Sequence, residues 1–455
     1  MKQNYFIQLL LITLLSAGFS NDISGQSCLN IGDTRYNIET NVSVNSTWPD
    51  LTVAGEDLIV NYYDSSWNTQ SVKIAPDGTI SNWNLPEVSP RTSDNSDSFA
   101  FKSLENGNLV MVWYSSSINK GLTDIYFKIL DNDGNEVLPA TKINTLSGQL
   151  NRYPEIEQLS NGNIIFAWAT SGSNSAMRRF TENGIPVDNN QLSITGLAGL
   201  SESQYEYKIA SNSNGKFMFL ISQYDANYYG MIFNNDADTP IKVGGNNSFI
   251  AAKVKQSGYG DKIPTITSLT TGQFLLAYQV QDGGGTETRS IAYKIYNDDG
   301  TIAKDQVIKN LIYSWGSISK PIITSDGFYL LYSYNDYGEY GPKRGYVPYV
   351  EYFNNRGDFI EDATSCTPTV SGDSPTLFPF KDIDGKMSFL VNSTENNSQN
   401  DLWLLRQNDV STVGEEKSVP AVTTSVVSSI SEFSATLKGD VTEDGGRTVT
   451  DRGFV

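Results

Sequence analysis

One phrase of apolar and polar positions recurs along the chain. It is a short alternating run, a glycine turn, and then a strongly apolar run carrying an aromatic residue. The clearest copies are Leu104-Glu105-Asn106-Gly107-Asn108-Leu109-Val110-Met111-Val112-Trp113 and Leu159-Ser160-Asn161-Gly162-Asn163-Ile164-Ile165-Phe166-Ala167-Trp168. Further copies centre on Gly55, Gly215, Gly272, Gly327 and Gly385, at spacings of 52 to 58 residues. A second landmark follows each first one. It is an alternating run ending in an Asp-Gly or Asn-Gly turn, as at Ile125 to Gly134 and Ile291 to Gly300. Such turns between alternating runs are strong hairpin signals. The fourth copy reaches Asp236-Ala237-Asp238 without its glycine.

Two hairpins per repeat make four strands, and no sustained helical period competes with them. The pattern predicts an all-β chain, a seven-bladed β-propeller over 35–407, with four strands to each blade. The seventh copy lacks a fourth strand. Arg35 to Thr40 looks like the fourth strands elsewhere, so this N-terminal strand is expected to close the last blade by pairing near Leu402 to Leu405. That arrangement brings Cys28 and Cys366 near each other, and a disulfide between them is expected.

Composition narrows the chemistry. Thirty-two Lys and Arg against 51 Asp and Glu give a net charge of −19, which argues against a nucleic-acid partner. The chain has no histidine, which removes imidazole-based catalysis and most zinc sites. Residues 1–26 read as a signal peptide: Lys2, then the apolar run Leu9 to Leu15, then small residues, with cleavage between 20 and 27. No segment is long and apolar enough for a transmembrane helix. A secreted or cell-surface, monomeric propeller is therefore expected.

Residues 408–419 are polar and read as a linker. Pro420 to Thr424, Ser434 to Gly439, Asp444-Gly445-Gly446 and Val449 to Val455 follow. This stretch, 420–455, resembles the start of the fibronectin type III-like modules of Bacteroidota surface proteins, which implies an incomplete β-sandwich. The repeats are similar to the degenerate propeller repeats of large secreted bacterial proteins. That resemblance implies a fold and an extracellular setting, not an activity.

Strand parity sends the tight glycine turns to one face and the long, dissimilar connections to the other. The long-loop face is the expected ligand surface. The sixth repeat is rich in tyrosine there. Tyr334, Asp336, Tyr337, Tyr340, Arg344 and Tyr346 are the candidate ligand contacts, because tyrosine both stacks on a sugar and hydrogen-bonds it. Tyr332, Tyr349 and Tyr352 read as sheet packing. Acidic residues recur after the second strands at Asp64, Asp225, Asp282, Asp336 and Glu395. They suit Ca²⁺ if they converge, and a solvated acidic rim if they do not.

The primary expectation is a non-enzymatic binding or adhesion propeller for an extracellular glycan or protein. The alternative is a carbohydrate-active propeller enzyme, of sialidase or glycoside-hydrolase type, that works through carboxylates.

Overall fold

The computed structural model describes 35–406 apart from 43–49, 64–68, 76–78, 84–98, 117–122, 172–173, 196–206, 224–226, 254–263, 283–287, 313–315, 335–346, 363–375, 382–386 and 394–399. Beyond that span it describes only 421–424 and 439–443. The signal peptide, the linker, Cys28 and Cys366 lie outside the described residues. The chain divides into a unit of 33–406 and a second unit holding 1–32 and 407–455.

The larger unit is an all-β propeller. In the first repeat Asp50–Ala54, Asp57–Tyr63, Thr69–Ile74 and Ile80–Asn82 form a four-stranded antiparallel sheet in chain order. The same order holds within 99–142, 152–193, 207–253 and 265–312. In the last sheet Thr376–Lys381, Met387–Ser393 and Asn400–Arg406 are completed by Arg35–Val42. Arg35 faces Leu405, Tyr36 faces Leu404 and Val42 faces Asn400. The two ends of the unit are thus joined through one ladder, as expected.

The expectation of seven four-stranded blades is corrected. Six sheets are four-stranded, and the sixth repeat differs. Its first strand is broken into Gly316–Ile318 and Ile322–Ile323, and both pieces pair with Gly327–Tyr334, giving a sheet of five strands. The break contains Pro321, which has no N–H to donate to the ladder.

The apolar runs have a simple reason. Where its side chains are described, the second strand of a repeat lies between neighbouring sheets, with both faces buried. Leu109, Met111 and Trp113 pack toward the first sheet, with Ile59 and Trp83. Val110, Val112 and Tyr114 pack toward the third, with Phe166 and Phe180. A strand buried on both sides must read as continuously apolar rather than alternating. Each such Leu or Phe contributes about 1.5–3 kcal/mol by leaving water. The contact repeats between later sheets, through Phe217 and Phe233 and then Leu276 and Tyr296.

The glycine turns sit together on one face. Gly107, Gly162 and Gly272 donate to Leu104, Leu159 and Leu269, and Gly134, Gly184, Gly300 and Gly357 close the second hairpins in the same way. These glycines have positive φ, between 80° and 88° for all but Gly357 at 77°, a region that side chains avoid. Turns of successive sheets touch: Asn235 donates to Ser160, Asn214 to Asp298 and Asn355 to Thr270. The fourth repeat, which lacks its glycine, is held differently. Arg179 reaches across from the third sheet and donates to the carbonyls of Asn235 and Ala237, at 3.0 Å each.

Of the second unit, Ala421–Thr424 pairs with Gly439–Glu443 in a two-stranded sheet. That pairing does not establish a fibronectin type III-like sandwich.

Candidate functional site

The innermost strands beginning at Asp50, Phe99, Arg152, Tyr207 and Thr265 each touch the next in turn. Side chains on their free face therefore point at the axis of the propeller. In the third repeat Arg152–Gln158 alternates: Pro154, Ile156 and Gln158 are buried, while Tyr153, Glu155 and Glu157 are not. The period of two places Glu155 and Glu157 on one face, with Cα atoms about 6.6 Å apart.

Each carboxylate is met by a lysine from a neighbouring inner strand. Lys102 of the second repeat lies 2.5 Å from Glu157, and Lys208 of the fourth pairs with Glu155. A third lysine joins them from the sixth repeat. Lys320 sits in the break beside Pro321, and it lies close enough to feel the charges of Lys102, Glu157, Lys208 and Glu155. Groups from the second, third, fourth and sixth repeats of a propeller can come together only at its axis. The cluster therefore lines the central channel.

Lys320 is exposed to water, in a crowded setting beside the other charges of the cluster. Desolvation holds its pKa below the ordinary lysine value; the charges of Lys102 and Lys208 push it the same way, and those of Glu157 and Glu155 push it back. No ion-pair partner for it occurs among the described residues, although Lys73, Lys128 and Lys294 all have one.

Tyr153 marks the end of the same inner strand. Its φ of 52° is the one positive value among the described non-glycine residues, and it directly precedes Pro154. The ladder slips between Arg152 and Glu155 to accommodate it. Tyr153 is 40% exposed. A strained, exposed tyrosine at the rim of a charged channel is the kind of outlier that active sites carry. By strand direction it lies toward the long-loop face.

The residues singled out from sequence are placed differently. Asp336, Tyr337, Tyr340, Arg344, Tyr346, Asp64, Asp225 and Glu395 lie outside the described residues. Tyr334 ends its strand opposite Val347, and Asp282 ends its strand opposite Thr288. Among the described residues no group of three or more His, Cys, Asp or Glu is placed to hold a metal ion. Tyr332 is buried and stacks on Tyr349 at 5.5 Å, and its hydroxyl donates to Glu351 at 2.9 Å. Tyr352 is buried too, and burial pushes its hydroxyl up to about 12. These three are sheet packing, as read. The axial cluster was missed. Its signal was a charge alternating with apolar residues in several first strands: Phe101-Lys102, Glu155-Ile156-Glu157, Lys208-Ile209.

Among the described residues no helix is long and apolar enough to cross a membrane. No protein-family model matches the chain, and no curated protein matches it. Solved structures do. The polysaccharide lyase Uly1 superposes with a TM-score of 0.53 at 11% identity, over 87% of this chain and 95% of its own. An α-L-arabinanase from Penicillium chrysogenum, complexed with arabinobiose, gives 0.37 at 16% identity, over 72% and 97%. An endo-arabinase from Bacteroides thetaiotaomicron gives 0.35 at 10% identity, over 81% and 97%. The likeness to the lyase is one of fold. The propeller fold shared with a polysaccharide lyase stands against the expectation of a non-enzymatic adhesion propeller, which is corrected.

Proposed function

We propose that this chain is a carbohydrate-active propeller enzyme that cleaves glycosidic bonds at the axial channel, with Glu155 and Glu157 as its working carboxylates. The observation that carries the reading is their placement on one free strand face, in a lumen reached by groups from four repeats. The propeller fold shared with a polysaccharide lyase supports it. In a hydrolytic cycle one carboxyl group hands its proton to the leaving glycosidic oxygen, and the other draws a proton from the attacking water. Such carboxyl groups stand about 6.5–9.5 Å apart in inverting enzymes, and Cα atoms two strand positions apart allow side chains to reach that separation. Lys102 and Lys208 position the two side chains from neighbouring sheets.

We also read the chain as exported. A signal peptide over 1–26, a linker over 408–419 and a fibronectin type III-like segment over 420–455 support an extracellular, polysaccharide-facing setting.

The test is a polysaccharide panel assayed for reducing ends and for the ultraviolet absorbance of unsaturated products. Glu155→Gln and Glu157→Gln should each lower kcat by about 100-fold while leaving the melting transition intact. Turnover of no polysaccharide by the wild-type chain, or unchanged kcat in both variants, sinks the reading.

A further inference from the structure

We infer that the axial site takes an anionic glycan, one whose sugar carboxylate or sulfate is received by Lys320 between Lys102 and Lys208. This rests on the reading of the channel as the site of a carbohydrate-active enzyme, and it adds the substrate class.

Three observations converge. The first is a local excess of positive charge in a chain of net charge −19. Three lysines meet two glutamates at the axis, and the two glutamates are already engaged by Lys102 and Lys208. The second is the isolation of Lys320. Lys216 and Lys304, by contrast, are each paired with a carboxylate, Asp298 and Asp358. Lys320 has no ion-pair partner among the described residues, and with Lys102 and Lys208 beside it an incoming anion finds a local positive field. Desolvation lowers the pKa of Lys320 first and Lys102 and Lys208 lower it further, while Glu157 and Glu155 oppose them.

The third is the backbone that presents it. In the other repeats the first strand runs without a break, but here Ser319, Lys320 and Pro321 separate two short pieces. Ser319 still donates to Leu331 at 3.0 Å, so the ladder is lost only at Lys320 and Pro321. Losing ladder bonds in an inner strand has no evident benefit for packing. It does free Lys320 from the regular alternation.

An anion on a sugar ring fits this arrangement better than an isolated phosphate or an acidic peptide. The neighbouring Glu155 and Glu157 would repel a densely charged ligand. A glycan carries one anionic group per ring and offers hydroxyl groups to both carboxylates. The acidic outer surface does not oppose entry at a distance, since exposed charges are screened beyond about 8 Å at physiological salt.

The experiment uses the full exported chain and three probes: oligogalacturonate for carboxylate, a sulfated galactan oligosaccharide for sulfate, and an arabino-oligosaccharide as the neutral control. Binding is followed by calorimetry and cleavage by reducing ends, for wild type, Lys320→Gln and Lys320→Arg, with circular dichroism to confirm folding. The expected result is binding of an anionic probe that weakens with salt. It should fall about tenfold or more in Lys320→Gln and be largely restored in Lys320→Arg. Which of the two anionic probes binds identifies the anionic group. Absence of binding by both overturns the inference, as does binding indifferent to Lys320→Gln. Cleavage of the neutral probe alone, unchanged in Lys320→Gln, overturns the anionic substrate and leaves the enzyme reading standing. Lys320-dependent binding without cleavage of any probe leaves the anion site standing and removes the enzyme.

Discussion

Lys102 of the second repeat holds Glu157 of the third at 2.5 Å, across the boundary between two sheets of the propeller. The pair ties adjacent inner strands together and fixes one of two carboxylates that share a strand face. Lys102→Met should therefore act on catalysis more than on folding. Glu157 would lose its orientation, so kcat should fall about tenfold or more with little change in KM. Equal losses in both parameters, or a collapse of the melting transition, would show that the pair is structural only.

Closure of the propeller depends on Arg35–Val42. This strand supplies the outer ladder of the last sheet through its register with Leu402 to Leu405. Deleting 35–42 leaves Asn400–Arg406 as an open edge and separates the ends of the unit. The melting temperature should drop by roughly 5 °C or more, and the truncated chain should self-associate through the exposed edge. An unchanged melting curve would contradict a closing role.

Arg179 and Asp188 form a buried two-pronged pair in the third sheet. Arg179 Nη2 lies 2.6 Å from Asp188 Oδ1, and its Nε lies 3.1 Å from Oδ2. Arg179→Met leaves Asp188 buried without its cation and frees the glycine-less turn of the fourth repeat. The cost should be about 3–5 kcal/mol in urea denaturation. The double change Arg179→Met with Asp188→Leu should recover part of it, because the unpaired carboxylate is gone, and only part, because Arg178 then loses the charge of Asp188. Failure of the double variant to recover any stability would locate the cost in the turn instead.

Lys320 is expected to lower stability in the free protein. Its folded pKa lies below the ordinary 10.5, so the folded state is penalised most where Lys320 is protonated in both states. The penalty is complete below the folded pKa and fades as pH rises toward 10.5. Desolvation is the main cause; Lys102 and Lys208 add to it, and Glu157 and Glu155 offset it. Lys320→Met should raise the melting temperature by roughly 1–3 °C at neutral pH, and the difference from wild type should shrink as pH rises. A variant less stable than wild type at neutral pH would mean that Lys320 supports the fold.

Tyr153 holds a conformation that glycine adopts freely. Tyr153→Gly should leave stability unchanged or improved by about 1 kcal/mol, because the strain at φ 52° is released. If the ring stacks on substrate at the channel rim, the same change should raise KM several-fold. Unaltered kinetics would make the strain a matter of the Pro154 junction alone.

The sequence by itself determined the repeat, the turns and the closure. Those are local or periodic properties: a glycine at positive φ, an apolar run buried on both faces, and an N-terminal run shaped like the missing fourth strand. Even the exceptional turn at Asp236-Ala237-Asp238 was visible. The five-stranded sixth sheet was not read, although Pro321 was in plain view, because whether a proline ends a strand or splits it depends on what its partner strand does on each side. The site was least legible. Lys102, Glu155, Glu157, Lys208 and Lys320 are scattered over more than 200 residues and look like ordinary surface charges. Only the tertiary structure sends their strands to one axis. There charge separated along the chain becomes charge concentrated in a lumen, and Coulomb interactions follow distance in space rather than distance in sequence.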